Sequence, residues 1–234
     1  MPRNTITPAG DSSFAALQKT GADWTTVIDA ASASSIVDPG ATDGMFQGRL
    51  NSGTFTNRRG YMFFDLAGSG IPKKAQFIKL KQANLKLTIS AQGGTQTNGK
   101  KFRIYAMNPT TAGFNPHVDD YNNYLSTVVS ETFEVTASEQ LTFQIKSGRL
   151  LRWIESKIRK RSELHLMVRC YNDMQDVDPV GNNRAIYRSP TYGTASERPK
   201  LVIGYKVANN RLSAGGGFCS GNIITPSRNG FGRF

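Results

Sequence analysis

Few residues in this sequence have the types and spacing that chemistry needs. Asn172, Asp173, Asp176 and Asp178 put several oxygens into one short stretch, the donor set of a hard cation such as calcium. Their spacing is not that of a helix–loop–helix calcium loop, and Asp-rich turns also form for backbone reasons alone. Asp173, Asp176 and Asp178 are therefore a weak metal candidate beside a plain solvated loop. Gly94-Thr95-Gln96-Thr97-Asn98-Gly99-Lys100-Lys101 nearly spells a phosphate-binding loop. Lys101 stands where a magnesium-holding hydroxyl belongs, and strand-like segments lie on both sides, so the stretch reads as a polar hairpin.

His117 and His165 are the two histidines. Neither has a second His or Cys at zinc-ligand spacing. His165 falls on a strand, opposite its apolar face. No Gly-x-Ser-x-Gly elbow seats a serine nucleophile, and nothing makes the adjacent Asp119 and Asp120 face each other across a cleft. The sequence points to no catalytic residue, no enzyme and no cofactor.

Basic residues are more telling. The formal charge is +12 over 234 residues, which favours an anionic partner or an acidic neighbouring subunit. Lys73, Lys74, Lys79 and Lys81 form one group, and Lys157, Arg159, Lys160 and Arg161 a second. Arg198, Lys200, Lys206, Arg211, Arg228 and Arg233 form a third, in a stretch without Asp or Glu after Glu197. Basic and aromatic residues do not interleave as in a single-strand groove, so any nucleic-acid contact is expected to be non-specific.

The elements that position these residues read mostly as strands. Arg58 to Leu66 is a short run with apolar residues on both sides, as in a strand buried on two faces. Leu85, Leu87 and Ile89 alternate with Asn84, Lys86 and Thr88, as in a half-buried strand. Further strands are expected at Met45–Leu50, Gly53–Thr56, Phe102–Met107, Thr132–Thr136, Leu141–Lys146, Leu164–Tyr171, Ala185–Arg188 and Leu201–Val207. Asp23 either caps a short helix carrying Trp24, Val27 and Ile28 or precedes a loop pinned by Trp24. The period becomes helical once clearly, at Leu150, Leu151, Ile154 and Ile158, with Ser147 as candidate cap. The expected fold is all-β, an antiparallel jelly-roll sandwich with one internal helix at about 148–160. Residues 1–22 read as an N-terminal arm, 23–207 as the sandwich and 208–234 as a Gly-rich C-terminal arm. Cys170 and Cys219 make no disulfide framework, and Cys170 continues the apolar set of its strand.

Four motifs in order resemble the DNRLRE-type jelly-roll domain, a carbohydrate-binding-module-like sandwich of bacterial surface proteins and phage-encoded structural proteins. They are Arg59-Gly60-Tyr61-Met62-Phe63-Phe64-Asp65-Leu66, Gln82-Ala83-Asn84-Leu85-Lys86-Leu87 after a turn at Ile71-Pro72, the helix with its Trp at Arg149 to Arg161, and Ser189 followed by Arg198-Pro199-Lys200-Leu201-Val202-Ile203-Gly204-Tyr205. The match spans roughly residues 20 to 207. Between Ala112 and Ser130 the chain lacks the Trp-rich segment that many members carry.

The resemblance implies a non-enzymatic structural protein of a tailed-phage virion: a head auxiliary, decoration, neck or collar component. Its partners would be capsid, portal, neck or tail subunits, with the chain itself a homo-oligomer within the assembly. Arg211, Phe218, Arg228, Phe231, Arg233 and Phe234 would be interface residues of the C-terminal arm, with aromatic anchors among glycines. Met1 to Pro8 lacks a secretory apolar run and no segment is apolar enough to span a bilayer, so assembly in the host cytoplasm into a virion is expected, without membrane contact. A glycan-binding attachment module and a single jelly-roll capsid subunit with a genome-facing basic surface are the other two readings.

Overall fold

Thr54–Phe64 (β5) is buried on both faces from Arg59 to Phe64, because each face packs against a different layer. The computed structural model describes residues 3–7, 14–37, 43–67, 78–93, 100–110 and 116–207. In chain order the other strands are Arg3–Ile6 (β1), Phe14–Gly21 (β2), Ser35–Val37 (β3), Asp43–Asn51 (β4), Ile78–Gly93 (β6), Lys101–Met107 (β7), Tyr124–Val129 (β8), Phe133–Glu134 (β9), Gln140–Ile145 (β10), Leu164–Cys170 (β11), Asn182–Arg188 (β12) and Lys200–Val207 (β13). Among the described residues three α-helices interrupt them: Trp24–Ile28 (α1), Gly148–Lys160 (α2) and Tyr171–Gln175 (α3).

The strands form an antiparallel all-β sandwich. A small sheet runs β1–β13–β6–β10. A larger sheet holds β12, β4, β5 and β2 with its edge strand β3, and β11, β7, β8 and β9. The last residues of β6 leave the small sheet and pair with β12, across a register shift between Ile186 and Tyr187. One 16-residue strand thus belongs to both layers, and a bulge of this kind is the usual way to turn such a corner.

Between the layers, Ala83, Leu85, Leu87, Phe143, Ile145, Leu201 and Ile203 of the small sheet meet Phe46, Met62, Phe64, Phe102, Ile104, Leu166 and Val168 of the large one. Leu150, Ile154 and Ile158 of α2 join this core, four residues apart on one helical face. Ser147 caps α2 by accepting from the Leu150 N–H, and Arg161 closes it in a left-handed conformation, φ 51°. The β4–β5 turn has positive φ at both Ser52 (50°) and Gly53 (74°), the pairing that lets a two-residue hairpin follow strand twist.

The far face of the large sheet is also buried. Leu17, Tyr61, Phe63, Tyr105, Met107 and Met167 are covered by Ala33 and Tyr121, with Val118 and Met174 packed against them. The cover consists of α1, a 3-10 turn at Val118–Asn122 and α3. Asp23 caps α1 by accepting from the Thr26 N–H at 2.8 Å, and Trp24 packs on Phe55, so the helix forms rather than the loop.

Two boundaries differ from the sequence reading. Residues 1–22 contain β1 and β2, which are strands of the sandwich and not an arm. Tyr124–Val129, absent from the expected strands, is a strand on β7. Both segments are short and flanked by polar residues, so their pairing partners define them more than their own pattern does. The proposed C-terminal arm, 208–234, lies outside the described residues, and with it Arg211, Phe218, Arg228, Phe231, Arg233 and Phe234. Residues 94–99 of the polar hairpin lie outside them too.

Candidate functional site

β5 and β11 are neighbours, and alternate residues of each point to the covered face of the large sheet. That geometry carries Arg59 and Arg169 into a buried layer, where an isolated charge would cost several kcal/mol. The compensating carboxylate comes from α3, which begins directly after β11. Asp173, fully buried, accepts from both guanidinium groups. Arg59 donates Nε to Oδ2 at 2.8 Å and Nη2 to Oδ1 at 2.7 Å. Arg169 donates Nε to Oδ2 at 2.9 Å and Nη2 to Oδ1 at 2.8 Å.

The remaining donors are used as fasteners. Arg59 Nη1 donates to the Tyr121 carbonyl at 2.7 Å, and Nη2 to the Ile28 carbonyl at 2.7 Å. Its guanidinium lies 4.1 Å from the centre of the Tyr121 ring, and that of Arg169 lies 4.3 Å from the Tyr124 ring. Tyr121 in turn accepts from Asn57 at 2.8 Å and donates to the Val27 carbonyl at 3.1 Å. One carboxylate and two arginines therefore hold α1, the 3-10 turn and α3 onto the sheet. Burial alone would raise the Asp173 pKa, but Arg59 and then Arg169 outweigh it and hold the carboxyl well below the usual carboxylate range.

This corrects the metal reading of Asp173. Its two oxygens are already saturated by guanidinium donors. Asp176, in a left-handed conformation (φ 50°) at the end of α3, accepts from the Thr25 hydroxyl at 3.2 Å, and the structure does not bring it together with Asp178 and Asp173 as a ligand set. Among the described residues no group of three or more His, Cys, Asp or Glu side chains is placed to hold a metal ion.

A second polar feature opens to solvent. An open cleft of about 660 Å³ lies between the end of α2 and the start of β11, lined by Phe63, Asp65, Ala67, Pro109, Lys157, Arg161, Ser162, Glu163 and His165. His165, expected on a wet face, is buried against the rings of Tyr61 and Phe63, because that face of β11 is covered as well. Its Nδ1 pairs with the Tyr61 hydroxyl at 2.8 Å and its Nε2 with a Glu163 carboxylate oxygen at 3.2 Å. With both ring nitrogens engaged, His165 has none left to draw a proton from a nucleophile. His117 is likewise structural: it caps the 3-10 turn, accepting from the Asp119 N–H.

Burial lowers the His165 pKa, more than Glu163 raises it. The unfolded chain then binds a proton that the folded chain resists. Stability is thus full above about pH 6.5 and falls as pH drops below that unfolded value toward the folded one. Thermal melts between pH 7.5 and pH 5 are expected to show this loss in the wild type and a smaller one in His165→Gln. Equal losses in both would remove His165 from the account.

The basic helix end is divided by its neighbours. The Lys157 ammonium sits 4.9 Å from the Trp153 ring centre, and Arg159 pairs with Glu155 one turn earlier at 2.5 Å. Lys157 and Arg161 face the cleft, while Lys160 is exposed. The four do not make one uniform patch. The sequence missed Arg59 and Arg169 as a pair with Asp173, although Arg59 shares a strand face with Tyr61 and Phe63. An arginine in such a row signals a buried counter-charge.

No protein-family profile matches the chain, and no curated protein matches it at a significant level.

Proposed function

We propose that this chain is a non-enzymatic structural subunit of a tailed-phage virion, a jelly-roll head auxiliary, decoration or neck/collar component docked on its neighbours through its terminal segments. The observation that carries this reading is the Arg59–Asp173–Arg169 knot. Its polar groups are spent on fastening covering segments to a sheet, and its first arginine opens the motif that resembles the DNRLRE-type domain. In the second polar feature, both ring nitrogens of His165 are likewise taken up, by Tyr61 and Glu163. A glycan-binding module would present a row of exposed rings, whereas Tyr61, Tyr105 and Tyr121 are buried.

The test is proteomic and structural. Purified particles of a phage encoding this chain are expected to contain it in stoichiometric amount, and removal of residues 208–234 to release it while the melting temperature of the sandwich is kept. Particles lacking the protein would overturn the reading.

A further inference from the structure

The outward face of the small sheet has an unusual composition. The strands β1, β13, β6 and β10 carry Arg3, Lys79, Lys81, Lys86, Lys200 and Lys206 and contain no Asp or Glu. Directly opposed residues on antiparallel strands share a face, so the register defines its rows. Thr142, Lys86 and Lys200 form one row. Gln144, Asn84, Val202 and Thr5 form the next, and Gln82, Gly204 and Arg3 the third. A partly enclosed pocket of about 220 Å³, lined by Arg3, Gln82, Asn84, Lys86 and Thr142 with Val202 and Gly204, lies at its centre.

Lys86 and Lys200 stand directly opposite each other, an arrangement that costs stability in the free protein. An anion placed over them would reverse that cost. The choice among anionic partners follows from what the face lacks. Apart from Val202 its rows hold no apolar side chain, so it has none of the apolar centre around which protein interfaces are built. It holds no aromatic ring on which a base or a sugar could stack. What it does hold is Arg, Lys, Thr, Asn and Gln, the side chains that contact phosphate and sugar oxygens without reading sequence. The rows lie about 6.8 Å apart along each strand and the strands about 4.8 Å apart, a closely spaced set of polar groups around the pocket.

We propose that this face binds the phosphate backbone of nucleic acid, without sequence preference. The site lies outside residues 208–234 and stands or falls independently of the chain's place in a virion.

The full-length protein is titrated against fluorescein-labelled DNA duplexes of two unrelated sequences, read by anisotropy between about 50 and 200 mM salt. Equal affinity for both sequences and a steep salt dependence are expected. Lys86→Gln with Lys200→Gln is expected to weaken binding on the order of tenfold per lysine at 0.1 M salt and to reduce the slope of log K against log salt by about 1.8. Both side chains face outward, so the melting temperature of this variant should not fall. Lys157→Gln with Lys160→Gln, at the helix end, should leave the slope unchanged. Unaltered affinity and slope in the Lys86/Lys200 variant would overturn the proposal. So would polyglutamate binding as tightly as DNA, which would make the partner an acidic protein surface.

Discussion

Asp173→Asn is expected to destabilise the protein by about 3–5 kcal/mol, because it leaves two buried guanidinium groups facing a neutral amide. Urea titration should show the midpoint falling with little change in slope. A loss below about 1 kcal/mol, the level of an exposed ion pair, would mean that the knot is not the fastener inferred here. A triple replacement, Arg59→Met with Arg169→Leu and Asp173→Leu, should recover much of the loss, since apolar groups of similar volume remove the stranded charges. Recovery should stop short of completion, because the Ile28 and Tyr121 carbonyls lose the Arg59 donors.

The same group sets the acid limit. The folded Asp173 pKa lies below its unfolded value, so its contribution is full above about pH 4 and is lost as pH falls toward the folded value. The wild type and Asp173→Asn should therefore converge in stability as acid is added.

Phe102→Ala is the second large effect. Phe102 lies between the layers, 4.8 Å from Phe46, 5.6 Å from Phe133 and 4.9 Å from Phe143, centre to centre. It thereby links β4, β7, β9 and β10. Truncation removes a fully buried ring from a site with neighbours on every side, and those neighbours belong to paired strands that cannot collapse inward freely. A cost of about 3–5 kcal/mol follows, visible as a fall in melting temperature on the order of 10 °C. Phe46→Leu, which keeps most of the volume beside the same ring, should cost much less.

The legible parts of this chain were those with local pattern. β5, β6 and α2 could be read from alternation or helical period, and Ser147 from its place before an apolar stripe. Phe14–Gly21 could not, because its eight residues become a strand only through pairing with β5. The knot was hidden for a different reason. Asp173 sits among Asn172, Asp176 and Asp178, where local spacing suggests oxygens gathered around a cation, while Arg59 is 114 positions away. His165 was placed on the right side of its strand, but a single strand cannot reveal that a second cover buries its outer face.

The pairing of Arg3–Ile6 with Leu201–Gly204 has a consequence for biogenesis. The first strand of the small sheet emerges from the ribosome long before its partner is translated. Domains that fold progressively from the N-terminus can bury early strands as they appear, but this one must leave an edge open until nearly the whole described chain has been made. Pairing over so long a separation is slow in closing. Any product terminated before residue 200 would carry β6 with one bare edge, a template for joining to another copy rather than a smaller version of the fold.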